Sequence, residues 1–168
     1  MDKPTEAEMR LRRCCFTGHR PEKLGCSEEE AIRLLHGAIV DAYGSGYRTF
    51  LSGMARGVDI WAAEIVLKER AVHKDIHLIC ALPHPDFETR WKAEWQRRYA
   101  AILAKADLVK TICPVFSMSA YQKRNEWMVD HSALVLALYN SQPGGTANTI
   151  AYAKKQGVKV KIITPTSP

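Results

Sequence analysis

Six short apolar runs limit what this chain can fold into. They are Arg12 to Thr17, Tyr47 to Ser52, Ile76 to Leu82, Asp107 to Ile112, Ala133 to Tyr139 and Val158 to Ile163. Segments with helical spacing alternate with them. Ser27 followed by Glu28, Glu29 and Glu30 is a capped helix start. Ile32, Leu35, Ile39 and Ala42 then recur on one face until Gly44-Ser45-Gly46. Further helices are expected after Gly57, from about Glu88 to Ala104, from Ser119 to His131, and up to Gln156, with Gly157 as its C-terminal stop. Near-continuous apolar strands suit parallel pairing with both faces covered. The reading is α/β: a three-layer fold with a mostly parallel sheet, in one domain over 12–168. Residues 1–11 read as a frayed lead-in.

In such sheets ligands sit outside the carboxyl ends of the strands. Three glycine-bearing turns follow strands and should share that edge: Thr17-Gly18-His19-Arg20, Ser52-Gly53-Met54-Ala55-Arg56-Gly57-Val58-Asp59, and Pro143-Gly144-Gly145-Thr146. A glycine lets a ligand approach the backbone, and the free N–H groups of the next helix favour an anion. Thr17 offers a hydroxyl, His19 a ring nitrogen and Arg20 a planar charged fork. Asp59 is either a ribose ligand or a carboxylate serving its own helix start. Arg124 and Asn125, near the start of their helix, fall close to the same edge. Trp91 and Trp95, four apart, read as core or interface before they read as a base-stacking surface.

The chain has 168 residues with 46% hydrophobic and 25% charged, ordinary for a globular protein. No apolar run approaches the ~20 residues of a membrane span. The N-terminus has no apolar signal region, so the expected location is cytoplasmic. The five cysteines lack paired spacing, and Cys14, Cys80 and Cys113, in or beside apolar runs, read as small buried hydrophobes, not disulfides or zinc ligands. No metal site is expected. The net charge of +6 favours an anionic partner, but Lys and Arg are scattered, with no continuous stripe for nucleic acid.

Four motifs taken in order carry a resemblance: Phe16-Thr17-Gly18-His19-Arg20-Pro21, Ser52 to Glu64, Arg124-Asn125-Glu126-Trp127-Met128-Val129-Asp130, and Gly144-Gly145-Thr146. With them the chain resembles the YpsA-like family of the SLOG superfamily, which joins the DNA-processing protein DprA with the LOG nucleotide hydrolases. The resemblance implies a Rossmann-like domain that binds a nucleotide or nucleotide-derived ligand, of ADP-ribose or NAD type, as a sensor or regulator in bacterial cell division or stress response. It implies ligand contacts from Thr17, Gly18, His19, Arg20, Ser52, Gly53, Met54, Gly57, Asp59, Arg124, Asn125, Gly144, Gly145 and Thr146. A homodimer, with the Trp-rich helix as interface, and a cell-division protein are the implied partners. Two alternatives stay open. One is hydrolysis of a nucleotide N-glycosidic bond, with Asp59, Glu64 or Glu126 as carboxylate. The Glu that follows the glycine loop in LOG enzymes is absent here, which counts against it. The other is single-stranded DNA binding as in DprA.

Overall fold

The computed structural model describes residues 2–165. Strands β1 (Arg13–Gly18), β2 (Thr49–Ser52), β3 (His77–Leu82), β4 (Leu108–Thr111), β5 (Leu134–Leu138) and β6 (Lys159–Ile163) form one sheet in the order β4-β3-β2-β1-β5-β6. Every pairing is parallel. The helices are α1 (Glu6–Arg10), α2 (Pro21–Leu24), α3 (Glu28–Gly44), α4 (Val58–Val72), α5 (Ala93–Lys105), α6 (Ala120–Asp130) and α7 (Gly145–Lys155). The order reverses at β1, whose neighbours are β2 and β5. A crevice opens at such a switch point.

The two sides of the sheet bury different side chains, as a strand's alternation requires. Cys14 and Phe16 face a core with Leu35, Ile39, Ile60 and Val66 of α3 and α4, while Cys15 and Leu51 face Met128, Val129 and Ala153 of α6 and α7. β5 is buried along its whole length, so both of its faces are covered. Cys14, Cys15 and Cys80 are buried and all five cysteines are free. Cys113 is only half-buried, in the loop beyond β4.

Two local readings change. Residues 6–10 form a helix where a frayed segment is expected. Thr5 and Glu8 make a reciprocal capping box, and Arg13 of β1 reaches back to Glu6. The spacing Thr5-x-x-Glu8 carries that signal in the sequence. The helix expected from Glu88 begins at Ala93 instead. Thr89 turns back to bond the Asp86 carbonyl, and the Gln96 amide caps the carbonyls of Thr89 and Trp91. The stretch Pro83 to Lys92 is therefore a loop over the carboxyl edge of the sheet.

Candidate functional site

A cavity of about 360 Å³ opens at the carboxyl ends of β1 and its neighbours. Its wall draws on each of the three glycine-bearing turns: Thr17 to Arg20, then Ala55, Arg56 and Asp59, then Pro143 to Thr146. Tyr121, Arg124 and Asn125 of α6 close another side, and Phe87 and Trp91 of the Pro83–Lys92 loop complete it. The volume falls within the roughly 300–1,000 Å³ of small-molecule sites.

The polar wall has a graded electrostatic structure. At its floor Arg124 is buried and donates to the carbonyls of Gly53 and Ala81, and its Nε donates to Asn125 Oδ1 at 2.8 Å. Asp59 is also buried. Its Oδ2 accepts the Ala55 N–H at 3.2 Å, and Oδ1 has no hydrogen-bond partner among the described residues. Burial pushes the Asp59 carboxyl up to about 6, against the pull of the Arg124 cation and the Ala55 N–H. Burial likewise lowers the Arg124 pKa, against the pull of Asp59. At the mouth Arg56 pairs with Glu22 at 3.1 Å. Arg20 and Lys23 line the cavity, and their side chains make no ion pair among the described residues.

His19 is buried with its ring stacked on Tyr139, centroids 5.5 Å apart. Its Nε2 is buried without a hydrogen-bond partner among the described residues. Leaving a buried polar atom unpaired costs about 1–3 kcal/mol, so such a group calls for an explanation. Burial holds the ring below its ordinary pKa and therefore neutral.

The glycines divide by what occupies the space beside them. A Cβ on Gly18 would sit 2.5 Å from Val58, so that glycine admits the first turn of α4, not a phosphate. A Cβ on Gly53 would meet the Arg124 guanidinium at 2.7 Å. Gly57, at φ +92°, lies against Pro21. Gly144 and Gly145 have open space above them, and α7 begins there with no side chain capping it. The N–H groups of its first turn are thus left for an anion. Thr146 is buried in the same wall, and the Thr149 hydroxyl bonds back to the Gly145 carbonyl.

Of the residues expected at the site, Thr17, Gly18, His19, Arg20, Asp59, Arg124, Asn125, Gly144, Gly145 and Thr146 line the cavity. Ser52, Gly53, Met54 and Gly57 lie outside its wall. Ser52 is buried, donating to the Asp59 carbonyl at 2.8 Å and accepting from the Met54 N–H. Glu64 is tied to Arg98 at 2.6 Å, and Glu126 accepts from Gln122, so Asp59 is the carboxylate that faces the cavity. Sequence reasoning missed Lys23, Arg56, Phe87 and the cavity placement of Trp91. Trp91 packs edge-on against Phe87 and Tyr99 while one side meets the cavity. Trp91 and Tyr99 fell in a segment read as regular helix, and Phe87 in the turn before it. Among the described residues no three His, Cys, Asp or Glu side chains are grouped to hold a metal, and no helix is long and apolar enough to cross a membrane.

The model of the YspA SLOG family matches residues 14–167, which takes in the six strands except the first residue of β1, and the whole cavity wall. The chain belongs to the YpsA SLOG family. Relatives include a UPF0398 protein of Halalkalibacterium halodurans, 32% identical over 71% of this chain and 67% of that protein. A UPF0398 protein of Bacillus cereus is 28% identical over 84% of this chain and 82% of its own. An uncharacterized SPbeta prophage-derived protein, YoqJ of Bacillus subtilis, is 32% identical over 63% and 69%. Among solved structures the fold is similar to DNA processing protein A of Streptococcus pneumoniae, with TM-score 0.62 and 15% identity over 92% of this chain. The same protein from Helicobacter pylori, described in its single-stranded DNA binding mode, has TM-score 0.64 and 19% identity over 91%. This SLOG chain spans 50% and 65% of those two chains. The likeness establishes the Rossmann-like fold.

Proposed function

We propose that this SLOG protein binds a phosphorylated nucleoside in the cavity at the β1 switch point and acts as a sensor. The observation that carries the reading is the meeting of His19 with the open N-terminus of α7. His19, whose ring Nε2 is buried without a partner among the described residues, lines the same cavity as Gly144 and Gly145, where α7 begins without a side-chain cap and with open space for a Cβ. Arg20 and Lys23 add positive charge to the cavity wall. An anion here gains the helix terminus and charge-assisted hydrogen bonds together, the latter worth about 1.5–3 kcal/mol each. Phe87, Trp91 and Tyr121 offer flat apolar surface to a base. ADP-ribose and NAD are the larger members of the ligand class. A role in cell division or stress response rests on the family resemblance alone.

A second reading, cleavage of an N-glycosidic bond, draws on Asp59. It is buried, faces the cavity and carries a raised pKa, as proton-transferring carboxylates do.

The test is thermal unfolding against AMP, ADP, ATP, NAD, ADP-ribose and cyclic nucleotides, with Arg20→Ala and Gly145→Val as controls. Gly145 has room for a side chain, so Gly145→Val blocks the approach without crowding the fold. A ligand at 100 times its dissociation constant stabilises by about 2.7 kcal/mol, which a melt resolves. A shift lost in both variants supports the site. Free base released from the hit would favour the hydrolase. A panel without a hit removes the nucleotide reading, and salt-sensitive binding of a DNA oligonucleotide would then replace it.

A further inference from the structure

Tyr121 and Asn125 of α6 both line the cavity, one helical turn apart. Residues at this spacing share a helix face, with Cβ atoms about 5–6 Å from each other. In each side chain one hydrogen-bonding end is already committed, and the two committed ends are opposite in kind.

Arg124 sets the end that Asn125 commits. Its Nε–H donates to the Asn125 side chain at 2.8 Å. A guanidinium offers donors only, so the amide meets it with its oxygen, and this decides which way the amide is turned. Arg124 is buried and also bonded to the carbonyls of Gly53 and Ala81, which holds it in place. The Asn125 amide nitrogen keeps two N–H groups without a partner among the described residues. Asn125 therefore brings a fixed donor to the cavity wall.

His84 sets the end that Tyr121 commits. It is buried, with Phe87, Phe116 and Tyr121 packed edge-on around it. Its Nδ1 lies 2.8 Å from the Pro85 carbonyl oxygen, which can only accept, so Nδ1 carries the proton. In the neutral ring Nε2 is then an acceptor, and the Tyr121 O–H turns to it across 3.4 Å. The phenolic oxygen keeps its lone pairs. Tyr121 therefore brings an acceptor to the same wall.

We propose that Tyr121 and Asn125 are the specificity-determining pair of the cavity and read the edge of the ligand's base. The Tyr121 oxygen takes an N–H from the base, and the Asn125 amide gives an N–H to the acceptor beside it. This rests on the nucleotide reading of the cavity. The class selected is a base with an exocyclic amino group next to a ring nitrogen, as in adenine, whose edge carries donor and acceptor side by side. In the same pose an oxo base sets its carbonyl oxygen against the Tyr121 oxygen, acceptor against acceptor. A purine without the amino group leaves Tyr121 unpaired, and sites built to hydrogen-bond a ligand reject the analogue that lacks the group. His84 and Arg124 act through the other two as positioning residues. They orient the pair before the ligand arrives, which spares the ligand that ordering cost.

Calorimetric titration with four ligands tests it: AMP, purine riboside monophosphate, which lacks the amino group, and the two deaza analogues of AMP that lack ring nitrogen N1 or N7. Wild type should bind AMP at least about tenfold more tightly than the purine analogue and than one of the deaza analogues. Tyr121→Phe keeps the ring and removes the oxygen, and should bring the ratio of AMP to the purine analogue close to one. Asn125→Asp keeps an oxygen for Arg124 and removes the donor, and should abolish the preference over the deaza analogue. Arg20→Ala should weaken all four ligands by one common factor. A purely structural effect also moves all four together, so the ratios separate base reading from folding. Equal binding of AMP and its analogues by wild type overturns the proposal and leaves the nucleotide reading standing. A ratio unchanged in either folded variant overturns it too. The wild-type ratios decide the matter even if a variant unfolds. No binding of any of the four removes the nucleotide reading, and this one with it.

Discussion

The guanidinium of Arg124 rests on the bare backbone of Gly53, and a Cβ there would come within 2.7 Å of Arg124 Cζ. The guanidinium is not free to move aside. It is buried and bonded to the Gly53 and Ala81 carbonyls and to Asn125. Gly53→Ala should therefore cost about 1–3 kcal/mol, the usual penalty of overpacking. Urea unfolding measures it. The penalty should shrink in an Arg124→Ala background, and a double-mutant cycle without that coupling would refute the contact.

Asp59 makes stability depend on pH in a sense opposite to most carboxylates. Its folded pKa is about 6, raised by burial from an ordinary 3.8. The folded state then holds the proton more tightly than the unfolded chain. Its contribution is fully present below pH 3.8, falls as pH rises through the window, and is gone above about 6. At about 1.4 kcal/mol per unit, the change amounts to about 3 kcal/mol. His19, held below its ordinary pKa, contributes with the opposite slope, so the wild-type curve alone is ambiguous. The comparison with Asp59→Asn isolates the carboxyl. The difference in unfolding free energy between the two proteins should change by nearly that amount from pH 3 to pH 7. A constant difference would show an ordinary pKa.

Glu64 lies close in sequence to the cavity residues but serves the fold. Arg98 grips it through two nitrogens, at 2.6 and 3.1 Å, and reaches Glu28 at 2.8 Å. The bidentate geometry makes this the stronger kind of surface pair, worth about 1 kcal/mol. Glu64→Gln should lower stability by about that amount at low salt and by less at high salt, with ligand response unchanged. A Glu64→Gln protein of normal stability that no longer responds to ligand would place Glu64 in the site.

How much of this could be read from the chain differs by element. The apolar runs at 76–82 and 133–139 became β3 and β5 to within a residue at each end, because a strand covered on both faces must be apolar throughout. The common edge of the three turns followed from parallel topology. The helix start at 93 did not follow, since it is set by side-chain to backbone bonds from Thr89 and Gln96 that composition does not reveal. Nor did the division between wall and floor. Gly18, Gly53, Gly144 and Gly145 look alike in sequence, yet Val58 and Arg124 fill the space beside the first two. Which glycine leaves room is decided by residues distant in the chain.

The unpartnered nitrogen of His19 gives the site a cost that can be measured without knowing the ligand. Replacing His19 with phenylalanine keeps a flat ring against Tyr139 and removes the buried polar atom. Exchanging an unsatisfied polar group for an apolar one of similar shape is near neutral or stabilising. His19→Phe should thus unfold at the same urea concentration as wild type or higher, with a gain of up to about 1 kcal/mol. The variant should also lose the melting shift produced by any ligand that wild type binds. Greater stability with lost response is the signature of a residue kept for binding at the expense of the fold. A His19→Phe protein that is clearly destabilised would instead mean that the ring nitrogen has a partner in solution, such as an ordered water, and that the histidine belongs to the fold.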